Sequence, residues 1–251
     1  MNAAARRLHE VTRSGRPLLV CYLPVGDPAT ACATPAFYAE HGVDVVEAGI
    51  GVADPVLDGP EVAGSMRRAL DAGFRGAAAA DRLRADLAAG DDPAAVWMSY
   101  AADGTAGPDV AATSGAGAVL LPDADPLALA RDAAAHGLSA VAFCDHEPTD
   151  AQLAAASATR AYTMLAAVPG VTGERTEVGA DNAALVHRVR AAGGDAPVVL
   201  GFGLSTPDHA RAARDLGADG VVVGSACIRA ARAGADELGR LLTGLRAALD
   251  G

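Results

Sequence analysis

Glu47 and Asp58 are the residues of this chain best suited by type and spacing to proton chemistry. Glu47 falls inside the apolar run Val45-Val46-Glu47-Ala48-Gly49-Ile50, and the loop after it, Asp54-Pro55-Val56-Leu57-Asp58-Gly59-Pro60, sets two aspartates among rigid turn residues. A carboxyl on a strand facing an apolar interior has its ionisation opposed by desolvation and can shuttle a proton, whereas one on a loop can remain charged. Two carboxylates in unlike surroundings make an acid/base pair. The competing reading is that Glu47 ends its strand exposed while Asp54 and Asp58 cap turns, since Asp-Pro and Asp-Gly are ordinary turn chemistry.

A second group of residues suits an anion. Gly170-Val171-Thr172-Gly173, Gly201-Phe202-Gly203-Leu204-Ser205 and Gly224-Ser225-Ala226 each follow an apolar run. Glycine lets backbone N–H groups come close to a ligand, and Gly224-Ser225 can open a helix whose amino terminus attracts negative charge. The alternative is three tight turns. Tyr22 and Tyr100, at the ends of two further runs, could wall an aromatic slot or pack the rim. Asp123 can bond a loop backbone or a ligand. Asp145-His146-Glu147 has no second histidine at ligand spacing, which favours surface polarity over a metal site.

What is missing narrows the chemistry further. All 20 residues of the Lys+Arg count are arginine. A Schiff-base aldolase, a pyridoxal-phosphate anchor and a P-loop lysine are therefore excluded, and no cofactor is implied. The 31 Asp+Glu give a net charge of −11 and a pI near 4.9, which speaks against nucleic acid or an anionic membrane as partner. No apolar run approaches the roughly 20 residues of a membrane span, and Met1 to Arg16 is mixed-charge and helical rather than a signal peptide. A cytoplasmic location is expected. The cysteines, Cys21, Cys32, Cys144 and Cys227, lack C-x-x-C spacing and read as buried free thiols.

These residues need a scaffold that gathers strand ends. Eight short apolar runs recur, at 18–23, 43–48, 95–100, 118–121, 140–144, 161–165, 197–201 and 220–223, separated by alanine-rich helical stretches. Parallel strands buried on both faces read as such continuous runs, and eight alternating with helices predict a (β/α)8 TIM barrel over residues 1–251 as a single domain. A doubly wound open sheet is the competitor. The third outer helix has room only for Pro108 to Ser114. In a barrel the site lies at the carboxyl ends of the strands, where the residues above fall.

In this order the motifs resemble those of the tryptophan synthase alpha chain family. The match rests on Val45 to Ile50 through Ala53 to Pro60, with support from Tyr22-Leu23-Pro24-Val25-Gly26-Asp27-Pro28, Leu121-Pro122-Asp123, the two glycine segments at 170–173 and 201–205, and Val223-Gly224-Ser225-Ala226. The resemblance implies a carbon–carbon lyase: retro-aldol cleavage of indole-3-glycerol phosphate to indole and glyceraldehyde 3-phosphate, without metal or cofactor. It implies that Glu47 shuttles the proton and that Asp58 accepts the indole N–H. Tyr22, Tyr100 and Phe202 would bound the indole slot, and Gly173, Gly203, Gly224 and Ser225 would hold the phosphate.

The chain also departs from the family pattern. Gly49-Ile50-Gly51-Val52-Ala53 replaces the usual Gly-x-Pro followed by an aromatic or His and then Ser; Ala102 replaces a common Asn, and Met164 a usual Tyr. Several of these regions face the beta chain in the family. The resemblance implies a tryptophan synthase beta chain as partner, but these departures bear on that coupling more than on the chemistry and lean toward a stand-alone lyase that releases indole; a catalytically weak binding subunit is the alternative. Gly51 is expected to loosen the loop that holds Asp58.

Overall fold

A computed structural model describes residues 1–88, 93–167, 181–201 and 203–251. Its strands are β1 (Leu18–Pro24), β2 (Val45–Gly49), β3 (Ala94–Met98), β4 (Ala118–Leu120), β5 (Ser139–Ala140), β6 (Ala142–Cys144), β7 (Thr163–Ala166), β8 (Val198–Gly201) and β9 (Gly220–Val223). All pair in parallel, in the order β5-β4-β3-β2-β1-β9-β8-β7-β6. β5 and β6 are separated by Val141 alone. The lower half of this fifth run pairs with β4 and the upper half with β7, while Val141 N–H donates to the Val119 carbonyl and Ala142 N–H to that of Tyr162. The expected eighth-fold barrel thus closes through one strand that changes neighbours midway.

Around it lie α1 (Ala3–Thr12), α2 (Pro35–Glu40), α3 (Pro60–Asp71), α4 (Ala77–Leu87), α5 (Pro108–Ala111), α6 (Pro126–Ala135), α7 (Asp150–Ala158), α8 (Asn182–Ala191), α9 (Pro207–Asp215), α10 (Ser225–Ala233) and α11 (Ala235–Asp250). α5 is a single turn, shorter than the room the sequence leaves for it. Strand residues alternate between two apolar clusters, as a period of two requires. Val20, Val45, Val96, Leu120, Tyr162 and Met164 belong to the barrel interior, joined by Leu8 of α1. Leu19, Cys21, Val46, Trp97 and Leu165 pack outward against the helices. Cys21, Cys144 and Cys227 are buried free thiols, and Cys32 is partly exposed.

The helix that matters most for the site is α3. Pro60 at its first position fixes φ where an N–H would go unused, and Val62, Ser65, Met66 and Ala69 form its buried stripe. Gly51 lies beneath it. A Cβ there would stand 3.0 Å from both the Met66 carbonyl oxygen and Leu70 Cγ, so any side chain would press on α3, and the loop is packed rather than loosened.

Candidate active site

Register carries the first carboxylate inward. Glu47 pairs with Tyr22 of β1 on one side and Val96 of β3 on the other, and its side chain is 3% exposed. Tyr162 donates a hydrogen bond of 2.6 Å to Glu47 Oε1. Burial pushes the Glu47 carboxyl up to about 7; the Tyr162 bond opposes that rise and the Asp58 charge adds to it. The buried acid expected of the strand is what the barrel provides, and the exposed-end reading is set aside.

Asp58 comes to the same cavity from the loop. Its N–H donates to the Pro55 carbonyl, and two residues later α3 begins, so a closed turn and a helix start hold it from both sides. Tyr100 donates to Asp58 Oδ2 at 2.7 Å. The short 3-10 turn Ala101–Asp103 behind Tyr100 is anchored in its turn: Ala101 and Ala102 N–H groups donate to the two oxygens of Asp123, at 2.7 and 2.9 Å. Of the roles open to Asp123, the backbone bond is the one the structure shows. Asp54 is exposed and stands outside the cavity lining.

Glu47 and Asp58 line one hollow of about 650 Å³, counting its open mouth, together with Tyr22, Tyr100, Gly203, Gly224 and Ser225. Its remaining wall is largely apolar, including Leu57, Met98, Leu120, Phe143 and Met164. One end therefore suits a flat aromatic ring and the other an anion. At the anion end α10 starts at Ser225, where first-turn N–H groups lack intrahelical acceptors. Gly203 has φ +91°, a backbone state that favours glycine. Seven of the nine predicted site residues thus meet in one cavity. Gly173 and Phe202 lie outside the described residues.

Asp145 accepts a bond from Gln152 Nε2 and is exposed, as its surface reading requires. Two residues escaped the sequence reading. Tyr162 was hidden inside its run, although its parity with Met164 places it inward. Asp27 carries no signal beyond its Gly-Asp-Pro turn, yet its fully enclosed side chain accepts from Ser65 Oγ at 2.7 Å, Arg68 Nε at 2.8 Å and Arg68 Nη2 at 2.7 Å, tying the loop after β1 to α3.

The comparisons with known proteins point to one family. A family model described as tryptophan synthase alpha chain matches residues 8–247. A protein of that name from Streptomyces coelicolor is 36% identical over 226 residues, 86% of this chain and 82% of the relative. Another from Geobacter sulfurreducens is 34% identical over 252 residues, 96% of this chain and 94% of the relative. Among solved structures, a chain of Mycobacterium tuberculosis tryptophan synthase superposes with a TM-score of 0.81 at 29% identity, covering 99% of this chain and 98% of its own. No helix among the described residues is long and apolar enough to cross a membrane.

Proposed function

The chain belongs to the tryptophan synthase alpha chain family, whose reaction is cleavage of indole-3-glycerol phosphate to indole and glyceraldehyde 3-phosphate, and from that premise we propose that Glu47 and Asp58 perform it here. The carrying observation is that two carboxylates of unlike burial, each held by its own tyrosine, share one cavity. The indole ring cannot leave as a carbanion without an electron sink. Protonated Glu47 delivers its proton to ring carbon 3, while Asp58 accepts the indole N–H and stabilises the positive charge that develops there. The bond between ring carbon 3 and the carbinol carbon then breaks, its electrons returning to the ring. The Glu47 carboxylate takes the carbinol proton as the aldehyde forms, so the acid is regenerated.

Gly203, Gly224 and Ser225 hold the phosphate through backbone amides, a task that needs no lysine, with Gly173 as a further member. Tyr22 and Tyr100 wall the ring, joined by Phe202. No step needs an amine. The partner is a tryptophan synthase beta chain, and the site of action is the cytoplasm, in keeping with cysteines that are free thiols. The reading as a weak binding subunit is not favoured, because both carboxylates stand at the cavity with their partners in place.

Steady-state release of indole by the purified chain, alone and with a beta chain, tests this reading. Turnover that rises when the beta chain is added is expected; vigorous turnover alone marks a stand-alone lyase, and none under either condition overturns the reading. Glu47→Gln and Asp58→Asn must each lower release by roughly 10²-fold or more.

A further inference from the structure

The chain has four tyrosines, and three of their hydroxyls have a protein acceptor. Tyr38 donates to the Tyr22 carbonyl at 2.8 Å, Tyr100 to Asp58 and Tyr162 to Glu47. The fourth, Tyr22 Oη, is buried without a hydrogen-bond partner among the described residues, in a residue 4% exposed. Leaving a buried hydroxyl unsatisfied costs about 1–3 kcal/mol, which is not expected at a position where phenylalanine would fill the same space.

The place of that oxygen is defined by Gly49. A Cβ on Gly49 would lie 1.9 Å from Tyr22 Oη, so the phenol occupies the room that the missing side chain leaves. Gly49 is two residues beyond Glu47 on β2 and shares its inward parity, which sets the hydroxyl one step above Glu47 toward the open end of the barrel. At the other end of the same side chain, Tyr22 Cβ is 4.0 Å from where a Gly224 Cβ would stand. The tyrosine therefore spans the cavity from the phosphate end to the carboxylates.

Asp58, Asp27 and Glu47 are the charged groups that act on the phenol, and together with its burial they hold it firmly as a neutral O–H. A neutral phenol needs an acceptor. The indole of the substrate offers only a donor N–H, and the phosphate end lies by Tyr22 Cβ rather than by its hydroxyl, so the acceptor falls on the glycerol arm that runs from ring to phosphate.

We infer that Tyr22 is a further catalytic residue, whose hydroxyl donates a hydrogen bond to the carbinol oxygen of the substrate and turns that oxygen's own proton toward Glu47. The inference rests on the proposed reaction and goes beyond the role of Tyr22 as an apolar wall.

A cycle between one protein oxygen and the substrate hydroxyls tests it. In a Glu47→Gln background that slows turnover, affinity is measured for indole-3-glycerol phosphate and for indole-3-propanol phosphate, which keeps ring and phosphate but lacks the arm's hydroxyls. With Tyr22 present the glycerol compound should bind roughly tenfold tighter. Adding Tyr22→Phe should erase that preference without weakening the propanol compound, and Tyr22→Phe alone should lower kcat by roughly tenfold while the melting temperature of the free chain holds or rises. A preference that survives the substitution, or equal losses for both ligands, overturns the role of the hydroxyl while leaving the cleavage reading intact. Failure of both ligands to bind the chain with Tyr22 present overturns the cleavage reading itself and this inference with it.

Discussion

Tyr162 and Glu47, 115 positions apart in the sequence, meet inside the barrel at 2.6 Å. A phenol that donates to a carboxylate favours the charged form, so it restrains the rise that burial imposes on Glu47. Removing the bond with Tyr162→Phe raises the Glu47 pKa above its present value of about 7. Cleavage starts from protonated Glu47, so kcat falls as pH rises through about 7 in the parent chain. In the variant that fall moves to higher pH. A kcat–pH profile measured on both proteins checks this, and a descending limb that stays in place would falsify the linkage.

Glu47 also costs the fold something above neutrality. Its pKa rises from 4.5 to about 7 on folding, so its contribution to stability is complete below pH 4.5 and lost as pH rises through 7. The loss at pH 9 is on the order of 3 kcal/mol. Glu47→Gln carries no such charge. Relative to the parent, the variant is expected to gain stability between pH 6 and pH 9, while its turnover drops by roughly 10²–10⁴-fold. Urea midpoints at the two pH values, beside an indole-release assay, read both effects.

Tyr100 and Asp58 form the other tyrosine–carboxylate pair, at 2.7 Å. Here the phenol aims an oxygen that must meet the indole N–H, and hydrogen bonds to a charged group are worth about 1.5–3 kcal/mol. Tyr100→Phe should lower kcat by roughly tenfold or more. Asp123→Ala should act in the same direction by a smaller factor, since it frees the two N–H groups that fix the turn behind Tyr100. An effect of Asp123→Ala larger than that of Tyr100→Phe would contradict this order.

Much of the fold was legible because a parallel strand covered on both sides has to be apolar throughout, and such runs stand out against alanine-rich helices. The split at Val141 was not legible, since nothing in Ala140-Val141-Ala142 marks which neighbour each half pairs with. Glu47 could be read as chemical because a carboxyl interrupts an apolar run. Tyr162 could not, because a tyrosine in a strand is ordinary and its acceptor comes from the other side of the barrel. Gly51 misled for the opposite reason: a loop glycine suggests freedom, whereas this one is held by the approach of α3. Asp27 was visible in its Gly-Asp-Pro setting, but only the packing of α3 supplies its partners.

That packing makes a last prediction. Asp27 is enclosed, and burial alone would raise its pKa, yet the bonds from Arg68, Ser65 and the Ala29 N–H hold its carboxyl below the ordinary 3.8. Its stabilising contribution is therefore present above pH 3.8 and lost as pH falls through the lower folded value. Arg68 is 30% exposed in its side chain, so the guanidinium stays partly hydrated while its fork grips the aspartate. Arg68→Ala leaves a buried carboxylate without its cation and should cost about 2–4 kcal/mol at pH 7, with a smaller loss as pH falls and Asp27 becomes protonated. Arg68→Lys should recover only part of this, because an ammonium cannot reproduce two parallel N–H bonds. The same grip fixes the face of α3 that begins two residues after Asp58, so kcat should fall with stability in Arg68→Ala even at temperatures where the chain is fully folded. Equal stability of Arg68→Ala and the parent at pH 7, measured by urea unfolding, would show that the clamp contributes nothing.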